Sequence, residues 1–138
     1  MALIRGLRSQ KGLSLVENMV AVGLFLIGIS AIMSVQIQGM TAGKRAAAAY
    51  TAYNIAKNHI ENLKAFSFSD VASAAETNVS VDENGTPDPD GKYLRSTTVT
   101  TSYTGDANLT QVVVSVYYLI QNVQSAQPMQ LTTVLYNG

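Results

Sequence analysis

The longest uninterrupted pattern in the chain runs from Leu13 to Gly43, thirty-one predominantly apolar positions in which Glu17 is the only formal charge. About twenty such residues cross a hydrocarbon core of roughly 30 Å as a helix, so the stretch predicts a membrane-spanning segment with one carboxylate near its start. No Pro occurs between Leu13 and Phe66, and a helical period continues beyond the apolar run. Ala42, Ala46, Ala49, Tyr53, Ala56, Ile60 and Leu63 recur at alternating spacings of four and three, which places them on one helical face, with Lys57, Glu61 and Lys64 on others. The stripe is short and rich in Ala, which favours packing against a small domain of this chain over a coiled coil. Gly23, Gly28 and Ser30 mark where the helix would loosen, since glycine disfavours helix by about 1 kcal/mol relative to Ala. The same small residues equally suit close helix packing in a membrane.

After Phe66 the helical period is lost. Residues 67–92 collect turn formers, and the acidic loop 82–91 holds four acids, two prolines and two glycines, which is the chemistry of a solvated turn. Asp82, Asn84, Asp88 and Asp90 bring oxygen donors into that loop, but without the spacing or the closing Glu of a twelve-residue calcium loop, so no metal site is expected. From Tyr93 the period becomes two. Tyr93, Arg95, Thr97, Val99, Thr101 and Tyr103 alternate with Leu94, Ser96, Thr98, Thr100 and Ser102 in a Thr-rich strand that can face water. After a turn at Gly105–Asn108, Leu109 to Ile120 reads as a central strand whose Val112, Val114, Val116, Tyr118 and Ile120 face the helix. Asn122 to Pro128 reads as a further turn, and Met129 to Tyr136 as a last strand with Leu131, Thr133 and Leu135 on one face. The connections are short, so the expected fold is α+β: one long N-terminal helix packed on a small antiparallel sheet of three to four strands within 93–136.

Composition adds exclusions. With 47% apolar and 13% charged residues the chain leans toward a membrane-associated class, and with no Cys it has no thiolate nucleophile, no disulfide and no Cys-ligated zinc. The one His, His59, lies on the predicted helix without a second His, and reads as a surface or packing residue. No phosphate loop or patterned pair of carboxylates is present, so neither an enzyme, a cofactor nor a catalytic residue is expected. Removing Arg5, Arg8 and Lys11 with residues 1–12 leaves six basic and nine acidic side chains, a balance with no nucleic-acid-binding character.

Those three basic residues precede the apolar run, and the positive-inside bias keeps that end in the cytoplasm against the opposing Lys44 and Arg45. A secretory signal peptide also begins this way, but its cut would follow the apolar run, where only Ala42-Gly43 offers a weak site. The segment Lys11-Gly12-Leu13-Ser14-Leu15-Val16-Glu17 resembles instead the signal of type IV prepilins, a short basic leader ending in Gly, then an apolar segment with Glu at its fifth position. By that resemblance 1–12 is the leader, Gly12 precedes the cut, Leu13 is the new and methylated N-terminus, and Glu17 serves subunit assembly. Leu13 stands where the family usually has Phe, and Ser34 where it often has Pro. Residues 13–43 would form the membrane and filament-core half of the helix, and 44–138 the extracytoplasmic head.

The helix and sheet extend the likeness over the whole chain. Ala56-Lys57-Asn58-His59-Ile60-Glu61-Asn62-Leu63, the paired Val strand and the closing Leu131-Thr132-Thr133-Val134-Leu135 look like a PilV-type minor pilin, and almost as much like the minor pseudopilin I of type II secretion. The partners this implies are prepilin peptidase, an inner-membrane assembly platform and other pilins. The implied location is the inner membrane as a single pass, then a pilus at the cell surface or a periplasmic pseudopilus. An ordinary single-span anchor with a small binding domain is the reading in which Gly12 stays uncut.

Overall fold

The computed structural model describes residues 14–137, so the leader, Gly12 and Leu13 lie outside the described residues. Helix α1 is Leu15–Lys64, followed by a short 3-10 turn and five strands: β1 Glu76–Val81, β2 Tyr93–Thr101, β3 Leu109–Ile120, β4 Val123–Gln124 and β5 Met129–Tyr136. The fold is thus α+β, one long N-terminal helix and an antiparallel sheet, which is pilin-like. The chain divides into two units between Met40 and Thr41.

In the first unit α1 runs without a break through Gly23, Gly28 and Ser30, and the Ser30 hydroxyl donates to the Leu26 carbonyl at 2.8 Å. These small residues therefore do not loosen the helix.

In the second unit the sheet pairs β1 with β2, β2 with β3, and β3 with β5, all antiparallel. β3 is central, as its apolar pattern predicts. Val112, Val114 and Val116 are fully buried and join Ile55, Ala56, Ile60 and Leu63 of α1 in one core. Each such Val or Ile contributes about 1.5–3 kcal/mol by leaving water. Leu131 and Leu135 of β5 pack at its margin.

Four expectations change. The helical stripe is Ala52, Ile55, Ala56, Ile60 and Leu63, rotated roughly 60° from the predicted one at 3.6 residues per turn. Ala42 and Ala46 are exposed and Tyr53 is 39% exposed. Burying Ile55 outweighs burying Tyr53, whose hydroxyl is satisfied by water. Second, β2 does not lay its odd face in water: Tyr93, Arg95 and Thr97 are buried, because register sets Arg95 and Thr97 beside the core-facing Val116 and Val114 of β3, and the acidic loop reaches Arg95 through the Gly85 carbonyl. Third, β1 lies inside the span expected to be loop. Its alternation is interrupted where the register shifts between Glu76 and Val79, with Asn78 at φ 51°, and Val79 and Val81 alone are too short a pattern to read. Fourth, Asn122 to Pro128 is more than a turn. Gln121 and Asn122 both take positive φ, 52° and 62°, forming a two-residue hairpin that pairs Leu119 with Gln124 and Ile120 with Val123. Tyr118 keeps the core-facing pattern of β3 and packs, partly buried, against the core, whereas Ile120 is partly buried outside it.

The acidic loop is fastened rather than merely solvated. The Asp82 carboxylate accepts the backbone N–H of Asn84 at 2.9 Å and of Thr86 at 2.8 Å, and the Thr86 bond leads in holding its pKa below the usual carboxylate value. Gly85 turns at φ 84° with Ile55 beside it, and Gly91 lies so close to β1 that a Cβ would meet the Val81 carbonyl oxygen at 2.3 Å.

Candidate functional site

The start of α1 is built by Ser14. This residue stands just outside the helix, and its hydroxyl accepts the backbone N–H of Glu17 at 3.2 Å while its carbonyl accepts that of Asn18 at 3.1 Å. Ser14 is therefore an N-cap and Glu17 the third residue of the first turn, the spacing of a capping box. An acidic side chain there also faces the positive end of the helix dipole. The cap uses the backbone of Glu17, which leaves its exposed carboxylate available.

Beyond the cap, the helix of the first unit turns large apolar side chains outward along its described length. Leu15, Met19, Leu24, Phe25, Ile27, Ile32 and Val35 are each 66–77% exposed. A Cβ added at Gly23, Gly28 or Gly39 would meet nothing. Every large apolar side chain left in water forgoes about 1.5–3 kcal/mol, so this surface requires lipid or other helices around it. Among the described residues α1 is the one helix long and apolar enough to cross a membrane.

A second polar constellation lies in the head. Arg95 on β2 is buried, and its Nε donates to Glu76 Oε1 on β1, its Nη2 to Glu76 Oε2 at 3.3 Å and its Nη1 to the Gly85 carbonyl at 2.8 Å. The Thr97 hydroxyl donates to Glu76 Oε1 at 3.1 Å, and His59 Nε2 on α1 lies 3.5 Å from the same oxygen without a hydrogen bond. Burial lowers the His59 pKa and the Arg95 charge lowers it further, against the pull of Glu76. Burial raises that of Glu76, but hydrogen bonds and charge from Arg95 and Thr97 more than reverse this and hold it below the usual carboxylate value. The chemistry is a clamp: one guanidinium ties β1, β2 and the acidic loop together under α1.

The structure does not bring the sequence-derived site residues together with this clamp. Glu17 sits at the exposed helix start, and Gly12 and Leu13 lie outside the described residues. Among the described residues no group of three or more His, Asp or Glu could hold a metal ion. His59 is the half-buried packing residue expected. Glu76 carried no signal in the sequence; the one clue was Arg95, a lone charge in a strand of Thr and Val.

Residues 7–33 match the family described as the prokaryotic N-terminal methylation motif, a range that contains Gly12, Leu13 and Glu17. With an exposed apolar helix behind that motif and an antiparallel sheet behind the helix, the chain is a type IV pilin-like protein, of a pilus or a pseudopilus. The motif implies processing by a prepilin peptidase and assembly with other pilins, and the apolar helix is its membrane anchor. Neither a curated protein nor a solved structure matches the chain.

Proposed function

We propose that this chain is a minor pilin of a type IV pilus. Prepilin peptidase cuts after Gly12, the new amine of Leu13 is methylated, and an inner-membrane platform draws the mature subunit out of the bilayer into a filament. The observation that supports this reading is the apolar, exposed helix of the first unit, which carries a single carboxylate and begins within a matching methylation motif. Lipid covers that surface before assembly and neighbouring helices cover it afterwards, so one segment serves as both anchor and filament core. Before assembly the N-terminus is cytoplasmic and the head extracytoplasmic. The subunit belongs to an initiating or tip complex that supports pilus assembly, adhesion, motility or DNA uptake.

Glu17 acts in assembly, facing the positive N-terminus of a neighbouring subunit, because a carboxylate enclosed by helices is costly unless it is paired. The test is Glu17→Ala. Removal of residues 1–12 proceeds as in the parent chain, while incorporation into sheared filaments falls by about tenfold or more, the loss of at least one enclosed charge pair. Normal incorporation would end the assembly role. A periplasmic pseudopilus uses the same motif and the same helix, and there the processed chain stays in the envelope. A single-span anchor keeps its leader and tolerates Glu17→Ala.

A further inference from the structure

Under the β3–β4 hairpin the head carries a cleft of about 580 Å³, lined on one side by Arg45 of α1 and on the other by Tyr118, Ile120, Val123, Gln124 and Ser125. Its wall is held in place. Ser125 donates its backbone N–H to the Tyr118 carbonyl at 2.9 Å and its hydroxyl to the Gln127 carbonyl at 2.9 Å, closing the chain after β4. The volume falls in the range of sites that take a ligand or a few side chains, about 300–1,000 Å³. Tyr118 and Ile120 have the pattern of core residues but are only partly buried, and Val123 is 70% exposed. Arg45 forms no ion pair among the described residues. The cleft therefore offers an apolar wall, amide and hydroxyl groups, and one uncompensated guanidinium. The complementary object is an apolar segment bearing one carboxylate.

The chain contains such a segment. The first two turns of α1 expose Val16 at 67% and Val20 at 56% on either side of Glu17, which likewise forms no ion pair among the described residues. Glu17 and Arg45 stand on the same helix twenty-eight residues apart, so the two charges meet only between copies. We propose that the cleft at Arg45 is the docking site for the first two helical turns of a second copy of this chain, with the Glu17 carboxylate on the Arg45 guanidinium and Val16 and Val20, which flank Glu17 on its side of the helix, against Tyr118, Ile120 and Val123. This rests on the assembly reading above and names a further partner for Glu17 besides the neighbouring amine. A carboxylate has two oxygens and accepts from both donors. A guanidinium fork gives the contact a fixed direction that a terminal amine does not supply, so the pair sets the stagger between neighbouring helices.

The chain has no Cys, so introduced thiols are unique. Two full-length, differently tagged copies are co-expressed in the native host, one carrying Val16→Cys and the other Val123→Cys, and filaments or envelopes are treated with an oxidant. The account expects a disulfide-linked product containing both tags. Arg45→Glu in the Val123→Cys copy lowers its yield about tenfold, as loss of one enclosed charge pair does, and Arg45→Lys, which keeps the positive charge, retains most of it. Arg45 is exposed, so Arg45→Glu leaves the head folded, which the thermal transition of the variant verifies. Processed chains that give no product, or a product indifferent to Arg45→Glu, overturn the docking and leave the assembly reading standing. Capture by Val123→Cys of a different subunit in place of the second copy overturns the homotypic pairing. Chains that retain residues 1–12 in every fraction overturn the assembly reading, and the docking with it.

Discussion

The two units of this chain solve opposite problems with the same kinds of residue. The head hides Ile55, Val112, Val114 and Val116 completely and keeps its buried charge, Arg95, paired. The N-terminal helix leaves Leu24, Phe25 and Ile27 more than 65% exposed, with its one carboxylate at the helix start. Apolar content is therefore a poor guide to stability by itself. What separates the regions is whether the chain supplies the surface that covers its own apolar face. The head does, and is a folding unit. The N-terminal helix does not, and its free energy is settled by lipid or by other subunits.

One substitution placed in each region breaks the comparison most sharply. Val114→Asp puts a carboxylate in the middle of the core with no partner, and it should cost more than about 4 kcal/mol and abolish the head's cooperative thermal transition. The helical circular dichroism of the detergent-embedded N-terminal segment should survive. Ile27→Asp should do the reverse, leaving the head's transition in place while weakening membrane retention by about 2.5–3.5 kcal/mol, measured as the fraction released by alkaline wash. If both variants lost the same transition, the two regions would not be independent in stability.

The clamp gives the next largest effect. Arg95→Ala strands the Glu76 carboxylate beneath the loop and should destabilise the head by about 3 kcal/mol in chemical denaturation. Arg95→Met combined with Glu76→Leu should recover most of that, since an apolar pair leaves no charge uncompensated. An additive double variant would mean that the two side chains act separately.

The smallest effect is in pH. His59 titrates lower in the folded head than in the unfolded chain, so the unfolded chain binds more protons and stability falls as pH drops through the ordinary imidazole range. Glu76 is also held low, so its stabilisation is present above the ordinary carboxylate range and is lost as pH falls through it. The melting temperature of the head should therefore decline from about pH 7 to about pH 4, and His59→Gln should flatten the upper part of that decline while leaving the lower part. A decline unchanged in His59→Gln would assign the whole slope to carboxylates.

The same contrast explains what could be read from the amino acids alone. The helix, the central strand Leu109–Ile120 and the last strand Met129–Tyr136 were legible because each holds one period over many residues. The first strand was not, because a register shift and a positive φ at Asn78 break its alternation after two residues. The buried face of α1 was legible at Ala56, Ile60 and Leu63 and misjudged before them, because Ala at many positions marks no direction and the bulky Ile55 fell outside the alternating stripe. The N-terminal methylation motif at residues 7–33 was legible because it is a linear segment. The clamp was not, because Glu76 and Arg95 meet only through the pairing of β1 with β2.

The measurement closest to the central claim is the intact mass of the chain from sheared surface filaments and from inner membrane of the native host. The account predicts that the filament fraction lacks residues 1–12 and carries one added methyl group, which would join the exposed apolar helix to its use as a filament core. A chain that retains residues 1–12 in both fractions would contradict it.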